Sequence, residues 1–560
     1  MRPIFVGKDE DGKPVHLGER ELQTHVHGIG ASRTGKSKLI EWIAREMIRN
    51  RQGFCLIDPH GFLYDDLVRW LAYLQPKREI ILFEPAADDR IVGFNPFQRR
   101  AEASLSTLVD RRVQSTVKAW GAANSDATPR LEKWLHNLYW AFMEQGYSLD
   151  IARYFLLWQE KETRNHLVRG IRSHTTRAQW EALTSLKNLQ DFWGHIESTE
   201  NRLLFRFLEP LQIRRVMGLN TNNIDLEDVI ENGKILLVNL QPKRNRLSRE
   251  NARLIGTLLL SEFWEIARER QQGPGGRAPS PFFLIIDEFQ LFLTPDIPEM
   301  LDQAAKYGIH LFLFHQHLSQ LQELDKQAYG AMTNARIKMV FGGLAREDAR
   351  TMAEEIYPGQ IDLKRVKFLI EQTKFWPVYA RDTVYNRSSG TGSASSSVSG
   401  TAWNPALEEW VPSSGEGSVE SSVEQEGEAD IPIFIPTPFK EVSSITPYSL
   451  EETLWELSDR LMEQYQRHFM IRIPGQPTSA AVTPFVNSWY ATPKTLTAYR
   501  ERLCGKFLRA AEVDQALFNV HNQLSLAATG KPYQIAIAAV ESAESPSSAA
   551  PEKNDPFGWG

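Results

Sequence analysis

The stretch GASRTGKS, Gly30 to Ser37, decides how the rest of the sequence is interpreted. It fits the pattern G-x-x-x-x-G-K-[ST] at every fixed position, which is typical of a loop that wraps a phosphate. Glycine lets the backbone approach an anion without a Cβ clash, and successive N–H groups then point at the phosphate oxygens. The loop therefore predicts a site for ATP and Mg²⁺. Its predicted cofactor-binding residues are Gly30, Ala31, Ser32, Arg33, Thr34, Gly35, Lys36 and Ser37.

The sequence on either side of this loop supports the prediction. The apolar run His25–Ile29 precedes the loop and predicts a strand. Behind the loop, apolar residues recur at helical spacing: Leu39, Ile40, Ile43, Met47 and Ile48. Strand, loop and helix in this order are the context that the phosphate-binding motif requires, and within it Lys36 reaches the phosphates while the Ser37 hydroxyl is a ligand for Mg²⁺.

Short apolar runs bounded by turn residues predict further strands. With the first one, they are His25–Ile29, Phe54–Ile57, Ile80–Phe83, Lys234–Leu240, Phe282–Ile286, His310–Phe314 and Lys338–Phe341. Most are apolar at successive positions, which is typical of parallel strands buried on both faces. Because helical segments separate many of them, they predict an α/β fold with a mainly parallel, doubly wound sheet.

The chain is predicted to contain several domains. Strand–helix alternation is interrupted by an almost entirely helical stretch, and a Ser/Gly/Glu-rich segment follows that cannot bury enough apolar surface to order itself. The predicted parts are 1–98 (ATPase core, first part), 99–225 (inserted all-α domain), 226–386 (core, second part), 387–430 (disordered linker), 431–540 (small α+β C-terminal region) and 541–560 (disordered tail).

Composition limits the environment and the partners of the protein. The 560 residues carry a net charge of −6, so a nucleic-acid partner requires basic residues clustered on one surface or in a pore. Two cysteines form neither a metal-binding spacing nor a disulfide framework, which indicates a reducing compartment. No apolar run approaches the roughly 18 residues that span a bilayer. We therefore expect a cytoplasmic protein without direct membrane insertion, peripheral at the inner membrane only through partners.

The second half of a nucleotide site is a strand that ends in acid. The run Phe282–Ile286 is followed by Asp287 and Glu288, which places both carboxylates at the carboxyl edge of the sheet, where ligands bind. We expect Asp287 to hold Mg²⁺ together with Ser37, and Glu288 to orient and polarise the attacking water. A metal-binding Asp followed directly by a Glu favours hydrolysis over transfer to another acceptor.

Polar and basic residues after the later strands complete the predicted site. The strand His310–Phe314 leads to Gln316, a candidate sensor of the γ-phosphate. Hydrolysis in ring ATPases commonly needs an arginine from a neighbouring subunit, and Arg336 is the first candidate for it, ahead of Arg346 and Arg350. Arg33, inside the loop, is expected to contact nucleotide or the neighbouring subunit. The predicted catalytic residues are Lys36, Glu288, Gln316 and Arg336.

Several blocks together resemble the HerA/FtsK superfamily of ring translocases, and most closely the TraG/TraD-like coupling ATPases of conjugation and type IV secretion. The blocks are His25–Gly30 before the loop, Ile57-Asp-Pro-His-Gly61, Gly93-Phe-Asn-Pro-Phe97, Asn232–Leu240, Asp287-Glu-Phe-Gln290, Ala305–Gly308, His315-Gln316 and Thr333-Asn-Ala335. The resemblance covers roughly residues 1–386. In this sequence His60 replaces the Lys or Arg often found in the second block, and the residues before Gly30 are polar.

The resemblance implies a RecA-like fold and a homohexamer with nucleotide at the subunit interfaces and DNA in the central pore. It assigns Lys36, Ser37, Asp287, Glu288 and Gln316 the roles given above. The partners it implies are single- or double-stranded DNA, further copies of the chain, and relaxase or secretion components.

Two alternative functions remain open at the level of sequence. The first is a HerA-like DNA translocase or helicase that works with a nuclease in DNA processing or phage defence, which the polar N-terminal residues favour. The second is a nucleotide-gated interaction protein without DNA translocation, whose Ser-rich segment and tail recruit partners. The intact Asp287-Glu288 pair argues against the second.

Overall fold

The structure is a computed structural model, and it describes residues 2–98, 104–120, 128–244, 246–270, 279–294, 296–362, 364–386, 394–404, 409–419, 427–488, 491–503 and 507–533. The predicted tail 541–560 lies outside the described residues. The chain divides into two units, one of residues 1–358 and 457–560 and one of residues 359–456.

Strands and α-helices alternate along much of the chain. The strands are β1 (Ile4–Lys8), β2 (Pro14–Leu17), β3 (Val26–Ile29), β4 (Gly53–Asp58), β5 (Ile80–Phe83), β6 (Arg90–Ile91), β7 (Ile235–Asn239), β8 (Phe282–Ile286), β9 (Ile309–His315), β10 (Ile337–Phe341), β11 (Val366–Asn386), β12 (Ala394–Asn404), β13 (Glu409–Val419), β14 (Gly427–Pro447), β15 (His468–Arg472), β16 (Ser479–Val482) and β17 (Leu508–Arg509). The α-helices are α1 (Glu19–Leu22), α2 (Lys36–Arg49), α3 (Phe62–Leu74), α4 (Leu105–Ala119), α5 (Pro129–Gln145), α6 (Ala152–Leu156), α7 (Lys161–Arg169), α8 (His174–Thr184), α9 (Leu189–Glu200), α10 (Leu211–Met217), α11 (Leu226–Glu231), α12 (Arg249–Glu269), α13 (Ile297–Gln303), α14 (Leu318–Leu324), α15 (Lys326–Ala331), α16 (Arg346–Ile356), α17 (Leu450–Met462), α18 (Pro493–Leu503) and α19 (Ala510–Thr529).

One large sheet organises the first unit. Its strand order is β2-β1-β16-β15-β10-β3-β9-β8-β4-β7-β5. From β10 to β5 every neighbouring pair is parallel, whereas β15, β16, β1 and β2 add to the β10 side in antiparallel fashion. All seven strands predicted from the sequence belong to the parallel part. The predicted α/β class with a mainly parallel sheet is confirmed.

The parallel strands are buried on both faces, as their continuous apolar sequence requires. Because side chains alternate along a strand, Leu284 and Ile286 of β8 join the apolar core on one face, while Phe283 and Ile285 join the core on the other. Helices α2 and α3 cover the second face, and α12 with the inserted helices covers the first. Strand β3, which leads into the phosphate loop, is likewise buried along its whole length.

Helices α4 to α10 fill the predicted all-α insertion, residues 99–225. Their apolar residues are continuous with the core beneath the sheet. Buried polar contacts connect the insertion to α12: the Arg112 guanidinium donates to Glu262, and Arg111 Nη1 lies 3.1 Å from Glu265 Oε1. A buried charge without a partner would be costly, so these pairs hold α4 against α12 in one register.

The C-terminal part of the chain differs in its boundaries from the predicted region 431–540. Residues 457–533 belong to the first unit, because β15 and β16 extend its sheet next to β10. Helix α19 packs on the insertion, where buried His521 lies between the Tyr154 hydroxyl at 2.7 Å and the Asp150 carboxylate at 2.5 Å. No local sequence pattern predicts these contacts, because they join residues more than 350 positions apart.

The second unit, residues 359–456, is a ribbon. Strands β11 and β14 pair antiparallel from Val366↔Pro447 to Asn386↔Gly427, and β12 pairs with β13. The predicted linker 387–430 thus contains strands among its described residues. Trp376 is 65% exposed, and its ring packs against Phe439 with ring centroids 5.8 Å apart. Cross-strand aromatic contacts of this kind stabilise a two-stranded ribbon.

Among the residues that the structure describes, no helix combines the length and the apolar character needed to cross a bilayer.

Candidate functional site

The phosphate loop connects β3 to α2 at the carboxyl edge of the parallel strands. Close packing explains two of its glycines: a Cβ on Gly30 would lie 2.4 Å from the Cβ of Phe341, and Gly35 precedes α2 with φ of 116°. Arg33 also has a positive φ of 66°, which is strained for a residue with a side chain. The loop is therefore held in a conformation that costs backbone strain at Arg33.

Lys36 is the first residue of α2, and its side chain is buried. Its ammonium group donates to the carbonyl oxygens of Gly30 and, at 3.1 Å, of Ala31, so it folds across the loop. Burial lowers the pKa of this ammonium group, and the nearby carboxylates of Glu288 and Asp287 oppose the shift. The positively charged ammonium group of Lys36 therefore lies near both the loop and the acid pair, where it can bind a polyphosphate.

Ser37 and Asp287 are 250 positions apart in sequence and meet at the site. The Ser37 hydroxyl lies 3.5 Å from Asp287 Oδ2. Burial, and then the charges of Glu288 and Asp58, raise the pKa of Asp287 to about 7. Oxygen donors around concentrated negative charge are what a hard divalent cation prefers. Ser37 and Asp287 therefore fit Mg²⁺.

Asp58 is close to this cluster but has a structural role. Its carboxylate accepts the backbone N–H groups of His60 at 2.8 Å and Tyr64 at 2.9 Å, which satisfies the start of α3. The Asp58–Gly61 block that carried part of the family resemblance is thus a turn that closes β4 onto α3.

Two amide side chains hold Glu288 in place. Gln316 Nε2 donates to Glu288 Oε1 at 2.5 Å, and Gln290 Nε2 donates to Oε2 at 2.7 Å. Ser32 of the phosphate loop donates to Gln316 Oε1 at 2.9 Å. Gln316 therefore bridges the loop and the predicted catalytic carboxylate. Glu288 has φ of 48° and ψ of 50°, so its side chain is aimed by a strained backbone.

A buried histidine pair lies beneath this bridge. His315 Nδ1 is 3.1 Å from the His317 carbonyl and acts as a donor, so His315 Nε2 accepts a hydrogen bond from His27 Nε2 at 2.6 Å. Burial lowers the pKa of His315 to about 3 and the pKa of His27 well below its usual value. Both rings are neutral at neutral pH. They join β3, which leads into the phosphate loop, to β9, which ends directly before Gln316.

The predicted arginines lie at different places. Arg336 is exposed just before β10, whose first residue Ile337 pairs with Val26 at the amino end of β3. It is therefore at the edge of the sheet opposite to the phosphate loop of its own chain. Arg346 lies 3.4 Å from Asp459 and Arg350 lies 3.3 Å from Glu354, both on α16. The assignment of a trans-acting arginine stays a prediction.

Sequence reasoning missed three contributors to the site. Gln290 belongs to the Asp287–Gln290 block, so the sequence indicates that it is near Glu288. The sequence does not indicate that its side chain donates a hydrogen bond to Glu288. His27 gave no signal, since a histidine in an apolar run usually indicates packing. The third is Arg467, whose backbone N–H donates to the Thr34 carbonyl at 2.7 Å. No sequence signal relates it to a loop more than 400 residues earlier.

Comparison with known proteins agrees with the sequence resemblance over one segment. Residues 281–367 match the family model described as the TraM recognition site of TraD and TraG. This segment contains Asp287, Glu288, Gln316 and Arg336. The predicted resemblance to TraG/TraD-like proteins is confirmed there. No curated protein matches the chain.

Solved structures with some likeness include coupling proteins. Unbound TrwBΔN70, a bacterial conjugative coupling protein, has 14% identity and a TM-score of 0.48 over 88% of this chain and 91% of that one. TrwB in complex with ADP and Mg²⁺ has 12% identity and a TM-score of 0.47 over 89% and 96%. VirB4 of Thermoanaerobacter pseudethanolicus has 13% identity and a TM-score of 0.38 over 63% and 87%.

Proposed function

We propose that this protein is an ATP-hydrolysing motor that translocates DNA in conjugative transfer or type IV secretion of a mobile element. Its cofactors in this proposal are ATP and Mg²⁺. The working form is a homo-oligomeric ring, a hexamer, with nucleotide at each subunit interface.

One observation carries the ATPase part of the proposal. Lys36, Ser37, Asp287, Glu288 and Gln316 come from separate segments of the chain and converge at the carboxyl edge of one sheet. The 3.5 Å approach of Ser37 to Asp287 joins residues 250 positions apart, and the 2.5 Å contact of Gln316 with Glu288 joins the ends of the neighbouring strands β9 and β8. A cation, a metal-binding oxygen pair and a buried carboxylate in this arrangement suit phosphoanhydride hydrolysis.

The proposed roles follow from the contacts. Loop N–H groups and Lys36 bind the β- and γ-phosphates, and Lys36 releases the carbonyl oxygens of Gly30 and Ala31 when it does so. Mg²⁺, held by Ser37 and Asp287, neutralises phosphate charge. Glu288 orients and polarises the attacking water. Gln316, which touches both Ser32 and Glu288, reports the state of the phosphates to the catalytic carboxylate.

The match of residues 281–367 to the TraD and TraG family supports the conjugative role. In this proposal the partners are DNA and relaxase or secretion components, and Arg336 reaches the site of the neighbouring subunit. Phosphate contacts to DNA make such a motor sensitive to salt.

Steady-state ATP turnover of the full chain, with and without DNA at low salt, tests the proposal. We expect DNA to raise turnover of the wild-type protein, and Glu288→Gln to lower it by a factor of about a hundred or more while nucleotide still binds. Lys36→Ala is the companion variant and should weaken nucleotide binding itself. Turnover that ignores DNA, or a Glu288→Gln variant with wild-type turnover, contradicts the proposal.

A further inference from the structure

We propose that Phe485 and Tyr465 form a stacking platform for the base of the nucleotide whose phosphates occupy the loop Gly30–Ser37. This inference rests on the proposed function, because it assumes that the loop binds a nucleotide. It adds a subsite built by the C-terminal part of the first unit, which the sequence did not connect with the phosphate site.

The topology determines on which side of the phosphate loop the base must lie. Strand β3, which carries the loop, has β9 and β8 on one side and β10 and β15 on the other. The acid pair and Gln316 occupy the β8–β9 side, so the reacting end of the polyphosphate points there. The nucleoside has to leave the loop toward β10 and β15. The segment that connects α17 to β15 stands at that edge.

Backbone contacts fasten this segment to the phosphate loop. The Arg467 N–H donates to the Thr34 carbonyl at 2.7 Å, and a Cβ on Gly35 would lie only 3.0 Å from the Arg467 Cα. The Gly343 N–H donates to the Met462 carbonyl at 2.9 Å, and the Ala31 N–H donates to the Gly342 carbonyl at 3.1 Å. The segment 462–467 therefore packs directly against the phosphate loop, and we call it the wall of the loop.

Two exposed aromatic residues lie on this wall and on the neighbouring segment after β16, whose Thr483 N–H donates to the Arg467 carbonyl at 2.9 Å. Tyr465 is 80% exposed and Phe485 is 71% exposed. Arg467 has φ of 72°, its guanidinium donates to the Thr483 carbonyl at 3.1 and 2.7 Å, and its Cζ lies 5.6 Å from the Phe485 ring. Arg467 therefore contacts the phosphate loop through its backbone N–H and the Phe485 ring through its guanidinium.

This arrangement suits an aromatic base. Bases stack on aromatic side chains and on guanidinium planes, and such stacking tolerates any base because every base has a π-face. A single exposed aromatic residue needs no explanation, but two that flank the residue bonded to the phosphate loop do. The platform recognises the face of the base, so adenine and guanine nucleotides gain similar affinity from it.

Calorimetric titration of the full chain with two probes tests the platform. The probes are a non-hydrolysable ATP analogue and inorganic tripolyphosphate, each with Mg²⁺. We expect Phe485→Ala to weaken binding of the analogue about tenfold, which corresponds to about 1.4 kcal/mol. Binding of tripolyphosphate should stay within about twofold of the wild type, because the phosphate contacts are untouched.

Further variants define the control and the rescue. Phe485→Trp keeps a stacking face and should bind the analogue like the wild type, whereas Tyr465→Ala should weaken it. Phe205→Ala and Tyr73→Ala remove aromatic residues that are 57% and 58% exposed elsewhere in the first unit and should change neither titration.

Each other outcome overturns the platform. If Phe485→Ala and the wild type bind the analogue with equal affinity, the platform does not exist. If Phe485→Ala weakens binding of the analogue and of tripolyphosphate to the same extent, the substitution has damaged the phosphate loop and the platform is also contradicted. If the wild type binds tripolyphosphate and the analogue equally well, the phosphate site stands and the platform is absent. If the wild type binds neither probe, the proposed function fails together with the platform.

Discussion

The two edges of the parallel strands carry opposite kinds of chemistry. At the carboxyl edge, Lys36, Asp287 and Glu288 bring one positive and two acidic groups into a buried space. At the amino edge of the same strands, His25 and His310 are buried, and burial lowers their pKa values to about 4 and about 3. The carboxyl edge concentrates charged groups, whereas burial keeps these two histidines of the amino edge neutral.

Backbone strain occurs at both edges, since Arg51 before β4 and Gln75 before β5 also have positive φ. Glu288, Arg33 and Arg467 all have positive φ and all belong to or touch the carboxyl-edge site. Such conformations cost about 1–3 kcal/mol each and persist where the surrounding structure over-determines them. At the amino edge the Leu311 N–H donates to His25 Nδ1 at 3.1 Å. We infer from the buried charged groups, and not from strain alone, that the carboxyl edge is organised for a ligand.

Arg336 is the strongest challenge to this division, because it is a predicted catalytic residue at the amino edge. If it acts on the neighbouring subunit, Arg336→Ala should lower the ATPase turnover number about a thousandfold and leave nucleotide affinity unchanged. Mixing Arg336→Ala with Lys36→Ala should restore part of the turnover, since each variant supplies what the other lacks. Measured turnover of the mixture equal to the mean of the two variants would rule out the trans role.

Gly343 tests how closely the carboxyl edge is packed. Its φ is 73°, and an added Cβ would lie 2.7 Å from the Cβ of Ala31 in the phosphate loop. Gly343→Ala should lower the free energy of unfolding by about 1–3 kcal/mol and weaken nucleotide binding. Gly530 has φ of 69° with nothing within 4 Å of an added Cβ, so Gly530→Ala should show only the backbone cost. Chemical denaturation and calorimetry of both variants separate the two effects, and equal losses would contradict contact with the loop.

The amino edge should respond to acid. Burial, and then the charges of His25 and Arg270, lower the pKa of His310 from 6.5 to about 3. The unfolded chain takes up a proton below pH 6.5 and the folded chain does not, so stability is complete above pH 6.5 and is lost as the pH falls toward 3. In His310→Phe, the free energy of unfolding should fall by about 1.4 kcal/mol less per pH unit than in the wild type. Thermal unfolding between about pH 7 and pH 5 measures it, and parallel curves for variant and wild type would refute it.

The smallest effect is expected at Arg350, the alternative arginine. Its Nε lies 3.3 Å from Glu354 Oε1 on the exposed face of α16. An exposed ion pair one helical turn apart contributes about 0.3–0.5 kcal/mol, so Arg350→Ala should scarcely change stability. Its turnover should equal that of the wild type. A loss of turnover comparable to that of Arg336→Ala would transfer the trans role to Arg350.

Local sequence patterns were sufficient to predict most of the fold. Continuous apolar runs predicted all seven parallel strands within about two residues, because strands buried on both faces leave a signal that needs no knowledge of their neighbours. The strand β15 was not predicted, although Phe469-Met470-Ile471 is a short apolar run. Its assignment depends on pairing with β10, which is more than 100 residues earlier.

The sequence by itself determined the phosphate loop, the acid pair after β8 and the buried parallel strands, because each is a local pattern of a few residues with a direct chemical or packing meaning. Only the tertiary structure decided that Gln316 joins Ser32 to Glu288, that His27 bonds to His315, and that Arg467 lies on the phosphate loop. These contacts depend on the order of strands in the sheet and on antiparallel pairing across long stretches of chain. Packing of the whole core selects that order, and no short segment encodes it.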